Sequence, residues 1–271
     1  MICKEPIPAW VHFDKTNKTM IVFITGATAG FGKATAQLFA RNKYNVIITG
    51  RRRERLEALA AELHANHQIE VLTLCFDVRH SDEVKKAIDS IPEKWRAIDI
   101  LVNNAGLAVG VNPIQEGVID DWDRMIDTNV KGLLYMTRNI APLMIGNGKG
   151  HIINIGSIAG KEVYANGNVY CASKYAVDAL NKSMRIDLLP YGIRVTSISP
   201  GLAETEFSIV RFKGDAERAK NVYKGIDPLT AVDIADAIYW AATRPAHVNI
   251  LDIVMTAGAQ ANTTTFIRKN A

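Results

Sequence analysis

Three polar residues in the second half of the chain have the types and spacing that proton transfer requires. Ser157 precedes Tyr170 by thirteen positions, and Lys174 follows the tyrosine by four. Residues four apart on a helix project from the same face, so the phenol and the ammonium would lie close together. An ordinary tyrosine has a pKa of about 10, and a neighbouring ammonium lowers that pKa toward the range of a general acid/base. The Ser157 hydroxyl could hold a substrate oxygen beside them.

A tyrosine and a lysine four apart are also common on solvated helix faces, where such pairs contribute little. A second motif favours the catalytic interpretation. The glycine-rich segment 25–32 follows the apolar run 20–24 and precedes a helical pattern over 33–40. Glycines in a strand-to-helix turn permit a tight bend, and the free N–H groups of the helix can bind a pyrophosphate. This context predicts a dinucleotide site.

Six motifs in order give the chain a resemblance to the short-chain dehydrogenase/reductase family from about Met20 onward. They are the glycine motif Gly26, Gly30 and Gly32, the segment Asn103-Asn104-Ala105-Gly106, the tetrad residues Asn129, Ser157, Tyr170 and Lys174, and the turn Pro200-Gly201. The resemblance implies that Tyr170 is the acid/base and that Ser157 holds the same substrate oxygen. It also implies that Lys174 binds the nicotinamide ribose and that Asn129 holds a water. Taken singly, Asn129 could cap a turn and Ser157 could end a strand.

The resemblance also supplies a set of expected cofactor-binding positions. They are Gly26, Ala27, Thr28, Ala29, Gly30, Phe31, Gly32, Arg51, Arg52, Asp77, Val78, Asn104, Ala105, Gly106, Tyr170, Lys174, Pro200, Gly201 and Thr205. At the end of the second strand an acidic residue would select NAD, whereas this chain has Arg51 and Arg52. Guanidinium groups bind phosphate well, so we predict that the cofactor is NADP, which carries a 2′-phosphate. The alternative is that these arginines only form a charged, solvated start of a helix.

The substrate is predicted from the segment after Pro200-Gly201. Residues 202–215 are expected to form a lid, and they resemble a subgroup that oxidises small 3-hydroxy acids with NADP. Its substrate types are serine, L-allo-threonine, 3-hydroxypropionate and 3-hydroxyisobutyrate; a related branch reduces sulfoacetaldehyde. Arg211 is the candidate for binding the substrate anion, although the Arg211 side chain could equally face solvent. Ser157 and Tyr170 are expected to bind the reacting oxygen of the substrate. Tyr164 and Asn166 could line the pocket or belong to a loop.

Two other functions remain open at this point. A catalytically silent NADP-binding regulator would have no need of both Tyr170 and Lys174. A reductase of larger ketones fits the short, charged lid less well. Turnover with small acids would distinguish all three.

Apolar runs alternate with helical patterns along the chain, which predicts parallel strands joined by crossover helices. We therefore expect one Rossmann-type, doubly wound α/β domain over 20–271 with a mainly parallel seven-stranded sheet, after an N-terminal extension over 1–19. The expected strands are 20–25, 46–49, 71–75, 100–103, 151–155, 193–199 and 250–255, and the clearest helices are 53–64, 81–91, 170–189 and 231–242.

The composition of the chain limits which partners it can be expected to bind. A net charge of +4 without an aromatic, basic stripe argues against nucleic acid, and no apolar run approaches the roughly 20 residues that span a membrane. Three cysteines without paired spacing fit the cytoplasm, with Cys171 as a buried filler. His64 and His67 are expected at a helix end, with no metal site. The family implies a homotetramer, and we predict that the tail 257–271 docks on a neighbouring subunit.

Overall fold

Short β-branched and apolar runs form a parallel sheet in the computed structural model, which describes residues 19–269. The strands are β1 Ile21–Ile24, β2 Asn45–Gly50, β3 Val71–Cys75, β4 Ile100–Asn103, β5 Gly150–Ile155, β6 Ile193–Pro200 and β7 Asp252–Met255. Their order is β3-β2-β1-β4-β5-β6-β7, and all of these neighbouring pairs are parallel. The predicted seven-stranded, doubly wound sheet is confirmed. The sequence predicted a mainly parallel sheet, and the sheet is parallel throughout.

Helices connect the strands on both faces of the sheet. They are α1 Gly30–Arg41, α2 Arg53–His67, α3 Ser81–Asp89, α4 Ile119–Ile126, α5 Leu133–Gly146, α6 Asn168–Leu188, α7 Glu206–Arg211, α8 Ala216–Asn221 and α9 Ala231–Ala242. A π-helical turn, Asp127–Gly132, joins α4 to α5. The four helices expected with most support from the sequence are present, with ends within three residues of the predicted ones.

The core is divided by the sheet into two layers because successive strand residues face opposite sides. In β1, Phe23 packs into one layer with β5 and α5, whereas Val22 and Ile24 pack into the other with α1, α2 and α9. Both layers exclude water, which is why the strands are continuous apolar runs. The strand order reverses between β1 and β4, and this is the point where an open α/β sheet has its ligand crevice.

The extension predicted over 1–19 lies outside the described residues except for Thr19, and so does Cys3. Cys171 is buried in α6, as expected, and His64 and His67 lie in the last turn of α2. Over residues 19–269, no group of three or more His, Cys, Asp or Glu side chains is arranged to hold a metal ion. In the same range no helix is long and apolar enough to cross a membrane.

The C-terminal tail packs on its own chain up to Lys269. Gln260 is buried, and its Oε1 accepts a hydrogen bond from the N–H of Leu202 at 2.8 Å. Arg268 donates to the carbonyls of Val222 and Lys224. The tail therefore contacts Leu202, at the start of the lid region, and the segment that follows α8, and the sequence did not predict either contact. Ile267 remains 77% exposed, and docking on another subunit stays a prediction.

Candidate active site

The turn between β1 and α1 requires its glycines. Gly26 and Gly30 have φ values of +65° and +51°, a backbone region that side chains disfavour. A Cβ added to Gly32 would lie 2.4 Å from the carbonyl oxygen of Gly26. Helix α1 starts at Gly30 without a side-chain cap and without an acidic residue in its first turn. Its first N–H groups are therefore available to an anion.

The end of β4 fixes this turn from behind. Thr25 Oγ1 accepts hydrogen bonds from the N–H groups of Asn104 and Ala105, each at 2.9 Å. Asn104 Nδ2 donates to the carbonyls of Thr25 at 2.8 Å and Gly26 at 3.1 Å. The Asn104 amide thus braces the glycine turn, in addition to lining the cleft where it was expected.

A cavity of about 310 Å³ opens over this turn at the carboxyl ends of the strands. Its wall contains most of the predicted cofactor positions: Gly26, Thr28, Ala29, Gly30, Phe31, Arg51, Arg52, Asp77, Val78, Asn104, Ala105, Gly106, Tyr170, Lys174 and Thr205. The other predicted positions are not in this wall; they are Ala27, Gly32, Pro200 and Gly201. Ala27 is completely buried, and Gly32 packs against the turn. Ala27 and Gly32 therefore support the turn from behind, whereas Pro200 and Gly201 lie at and just after the end of β6.

Sequence reasoning missed several residues of the same wall. They include Phe76, Leu107, Thr128, Ile155, Gly156, Glu206, Phe207 and Val210. Most of them flank a predicted position, as Phe76 flanks Asp77 and Glu206 flanks Thr205. These residues could therefore have been predicted from their position next to the predicted site residues in the sequence.

Lys174 is enclosed at the floor of the cavity. Its Nζ donates to the carbonyl oxygen of Ile155 at 2.8 Å, and only 7% of the residue is exposed. Burial disfavours the ammonium and lowers the pKa of Lys174 to about 8. A group with that pKa can exchange protons near neutral pH.

Asn129 lies on the π-helical turn, and the irregular backbone there directs its amide inward. Its Oδ1 accepts from the N–H of Leu107 at 2.8 Å, and its Nδ2 donates to the Leu107 carbonyl at 2.8 Å and Ser173 Oγ at 2.9 Å. A Cβ added to Gly106 would lie 3.3 Å from Asn129 Oδ1 and 3.6 Å from Lys174 Nζ. The two side chains therefore converge on one point beside Gly106.

Tyr170 lies beside Ser157, within hydrogen-bonding distance. Burial raises the pKa of Tyr170 strongly and the nearby Tyr164 adds to this effect, while a hydrogen bond with Ser157 and the charge of Arg211 oppose it. Lys174 Nζ lies 6.0 Å from the centre of the tyrosine ring. The direction is opposite to the expectation that Lys174 lowers this pKa, because enclosure of the phenol outweighs an ammonium at that distance.

A second, small cavity of about 10 Å³ adjoins Tyr170 and has room for roughly one water. Arg211 lies in its wall, and within residues 19–269 the buried Nε of this side chain has no hydrogen-bond partner. The guanidinium lies 5.2 Å from the ring centre of Tyr164. Asn166, Gly167 and Asn168 also line this cavity. The structure therefore brings Arg211 and Asn166 together with Tyr170, as the sequence suggested.

The lid, residues 202–215, contains α7 and contributes residues to the walls of both cavities. A Cβ added to Gly30 would touch the side chain of Thr205 at 3.4 Å, so the residue that caps α7 rests on the glycine turn. The ring of Phe207 lies 5.7 Å from that of Tyr170. Helix α7 thus spans the distance from the glycine turn to the tyrosine.

This fold and this site define a dinucleotide-dependent oxidoreductase. The short chain dehydrogenase family matches residues 20–215, and the chain belongs to that family. The NADP-dependent 3-hydroxy acid dehydrogenase YdfG of Salmonella typhi is 52% identical over 237 residues, which cover 87% of this chain and 94% of that relative. The serine 3-dehydrogenase of Agrobacterium fabrum is 48% identical over 230 residues, covering 84% and 90%.

A solved structure agrees with the same assignment. The closed form of a serine dehydrogenase complexed with NADP+ is similar at a TM-score of 0.86 and 46% identity. The match covers 93% of this chain and 100% of that one. The similarity therefore extends through the lid as well as the nucleotide-binding half.

Proposed function

We propose that this protein is an NADP-dependent dehydrogenase that interconverts a small 3-hydroxy acid with its oxo acid or semialdehyde. The observation that carries the proposal is the buried Nε of Arg211 in a small cavity beside Tyr170, which has no hydrogen-bond partner in the described part of the chain. A buried donor without a partner is costly, and an anionic ligand would satisfy it. The names of the similar proteins agree with this chemistry.

The substrate end of the site favours a short acid. A guanidinium can grip a carboxylate bidentately and leave the adjacent carbon chain to reach the tyrosine. Tyr164 packs against this guanidinium, and Asn168 Nδ2 is held by the carbonyl of Asn112 at 2.9 Å. A sulfonate would satisfy the same guanidinium, which keeps sulfoacetaldehyde reduction as the second candidate.

The cofactor end of the site suits a nucleotide with an extra phosphate. Gly26 and Gly32 leave a cradle that any Cβ would fill, and Arg51 and Arg52 stand in the cavity wall after β2. Asp77 also lies in this wall, but hydrogen bonds from Arg79 hold its pKa below the ordinary value even though burial alone would raise it. We infer that the arginines bind the 2′-phosphate of NADP and that Asp77 and Val78 adjoin the adenine. When bound, NADP accepts or supplies the hydride at its nicotinamide ring.

The chain's own residues would handle the proton. Tyr170 passes it between the phenol and the substrate oxygen, and Ser157 stabilises charge on that oxygen. Lys174, with a pKa of about 8, binds the nicotinamide ribose and exchanges protons. A water at the point where Asn129 and Lys174 converge beside Gly106 would link the lysine to solvent. Pro200, whose carbonyl oxygen lies 3.4 Å from Ser157 Oγ, positions the serine.

The assembly and its compartment are part of the same proposal. We infer a homotetramer in the cytoplasm. Apolar side chains on two separate elements support two interfaces, since Val254 on β7 is 54% exposed and Ile186 on α6 is 73% exposed.

A substrate panel tests the proposal. Serine, L-allo-threonine, 3-hydroxypropionate, 3-hydroxyisobutyrate and sulfoacetaldehyde are each assayed with both NADP(H) and NAD(H). We expect kcat/KM to be highest for one of the carboxylates with NADP. A preference for sulfoacetaldehyde selects the second candidate, and no turnover with any of them favours a silent regulator.

Arg211→Met tests the anion site directly. We expect KM for the preferred acid to rise about tenfold or more, because hydrogen bonds to charged groups contribute about 1.5–3 kcal/mol. Reduction of propanal, which lacks the anion, should change little. Arg218→Met removes the same charge from an exposed position on α8 and is the matched control. An equal loss for acid and aldehyde would place Arg211 in a structural role.

A further inference from the structure

Helix α7 ends in a turn that has a lysine where glycine is usual. The N–H of Lys213 donates to the carbonyl of Val210 at 3.1 Å, and the N–H of Gly214 donates to the carbonyl of Ile209 at 2.9 Å. These two hydrogen bonds form a Schellman motif, whose left-handed residue is most often glycine. Here that residue is Lys213, with a φ value of +54°. The backbone alone therefore gives no reason for a lysine at this position.

The Lys213 side chain pairs with a buried carboxylate outside the lid. Its Nζ lies 2.7 Å from Oδ2 of Asp121, on α4, in an ion pair rather than a directed hydrogen bond. The side chain of Asp121 is only 5% exposed, whereas that of Lys213 is 53% exposed. Arg124 Nη1 is farther away, 3.9 Å from Asp121 Oδ1. Of these two cations, Lys213 is therefore the closer partner of the buried anion.

A backbone hydrogen bond holds the end of α7 at a second point. The N–H of Gly110, in the segment after β4, donates to the carbonyl of Arg211 at 3.0 Å. Gly110 has a φ value of +75°, and a Cβ added there would lie 2.8 Å from Asp121 Oδ2. Gly110, Asp121 and Arg211 all line the small cavity that adjoins Tyr170. The chain is thus held at Arg211 itself and again two residues later.

We propose that Asp121 is a positioning residue for the substrate anion. By binding the Lys213 ammonium, Asp121 fixes the turn that ends α7 and so directs the Arg211 guanidinium into the small cavity. The proposal rests on the proposed function for the role of Arg211. Asp121 and Lys213 act through Arg211, so their loss should affect substrates that carry an anion and spare those that do not.

The first experiment separates the lysine side chain from the backbone turn. Lys213→Gly suits the left-handed backbone and removes the ammonium, and Gln68→Gly makes the same exchange at a φ of 54° at the end of α2. We expect KM for the preferred acid to rise about fivefold in Lys213→Gly only, which corresponds to about 1 kcal/mol, with kcat changed less than twofold. Lys213→Arg keeps the charge and should keep the wild-type KM. Reduction of propanal should be the same in all these variants.

The second experiment tests the other half of the pair. A carboxylate in the cavity wall repels an anion, so Asp121→Asn would lower KM if Asp121 had no positioning role. We expect it instead to raise KM for the acid about fivefold, as Lys213→Gly does. Asp123→Asn, at an exposed position on the same helix, is the control. Urea unfolding identifies any loss of folding from the buried substitution, and in that case the variants of the half-exposed Lys213 decide the question.

A combined variant shows whether the pair acts through Arg211. In the Arg211→Met background, Lys213→Gly should change KM for the acid less than twofold, because the group that the pair positions is already gone. Hydrogen–deuterium exchange of residues 209–214 measures the turn without substrate. Asp121→Asn should accelerate exchange there, whereas Asp123→Asn should not.

The outcomes distinguish this proposal from the proposed function. An unchanged KM in Lys213→Gly, full additivity with Arg211→Met, an equal loss for acid and propanal, or a lower KM in Asp121→Asn would each overturn the positioning role. If Arg211→Met alone leaves KM for the acid unchanged, the proposed anion site fails. The exchange of residues 209–214 in Asp121→Asn then still decides whether Asp121 holds the end of α7.

Discussion

At the scale of single residues, the site depends on a phenol whose surroundings oppose its ionisation. Burial raises the pKa of Tyr170, and the groups that favour the phenolate are the Ser157 hydroxyl and Arg211 rather than Lys174. The phenol is therefore protonated at neutral pH in these surroundings.

Tyr170→Phe removes the proposed proton donor and keeps the volume of the ring. We expect kcat to fall by about 10² to 10⁴, the usual contribution of general acid–base catalysis, with unchanged folding and nucleotide affinity. Steady-state kinetics and calorimetry check both parts. Tyr191→Phe, on the surface after α6, is the control and should keep full turnover. If Tyr170→Phe retains more than a tenth of the wild-type kcat, another group transfers the proton.

At the scale of elements, the cleft is closed by segments that are distant in sequence. The tail reaches the lid through Gln260, whose Oε1 holds the N–H of Leu202, while its Nε2 donates to the Asn262 carbonyl at 3.0 Å. A Cβ on Gly201 would lie 2.3 Å from that same Oε1, so the Pro-Gly turn needs its glycine to admit the tail. The lid is therefore anchored where it leaves β6.

Gln260→Leu keeps the size of the side chain and removes its hydrogen bonds. We expect the free energy of unfolding to fall by about 1–3 kcal/mol, the cost of a buried N–H left without a partner. KM for the hydroxy acid should rise as the lid start loosens. Urea unfolding and kinetics measure the two effects. Gln115→Leu, at an exposed position, is the control, and equal stability of the two variants would leave Gln260 without an anchoring role.

Local patterns predicted the sheet, the glycine turn and the tetrad because each is a short segment whose spacing carries its own signal. Arg211 lies in the same small cavity as Tyr170, and its role in binding the substrate anion stays a prediction. The pairing of Asp121 with Lys213 and the anchor at Gln260 could not be predicted. Such contacts join segments whose meeting depends on tertiary packing, and no local periodicity encodes them. The pKa of Tyr170 was given the wrong direction because burial is not visible in a motif.

At the scale of the whole molecule, the two ends of the sheet have different roles. The carboxyl ends hold the cavities, whereas the amino end of β5 holds a buried histidine. Thr196 Oγ1 donates to the Ile250 carbonyl at 2.6 Å, so His151 Nε2, 2.7 Å from that oxygen, must be the donor to it. Among the residues that the structure describes, none is a partner for the buried His151 Nδ1, and burial together with the charge of Arg194 lowers the pKa of His151 to about 3.

This histidine predicts sensitivity to acid. Below pH 6.5 His151 is protonated in the unfolded chain but stays neutral in the folded protein. The free energy of unfolding therefore decreases as the pH falls from 6.5 toward 3. Between pH 7 and pH 5 the loss from this group is about 2 kcal/mol. Urea unfolding at both pH values should show a smaller loss for His151→Asn than for wild type. His80→Asn, at an exposed position, should behave as wild type, and equal losses in all three proteins would contradict the assignment.

The size of the cavity that Arg211 and Tyr170 share has a consequence for the timing of the reaction. It holds roughly one water, far less than a hydroxy acid needs. Because Arg211 is the last residue of α7, we expect this helix to move in each catalytic cycle as the acid enters and leaves. Substrate exchange then sets an upper limit on turnover, and even instantaneous hydride transfer could not make the enzyme faster than its lid.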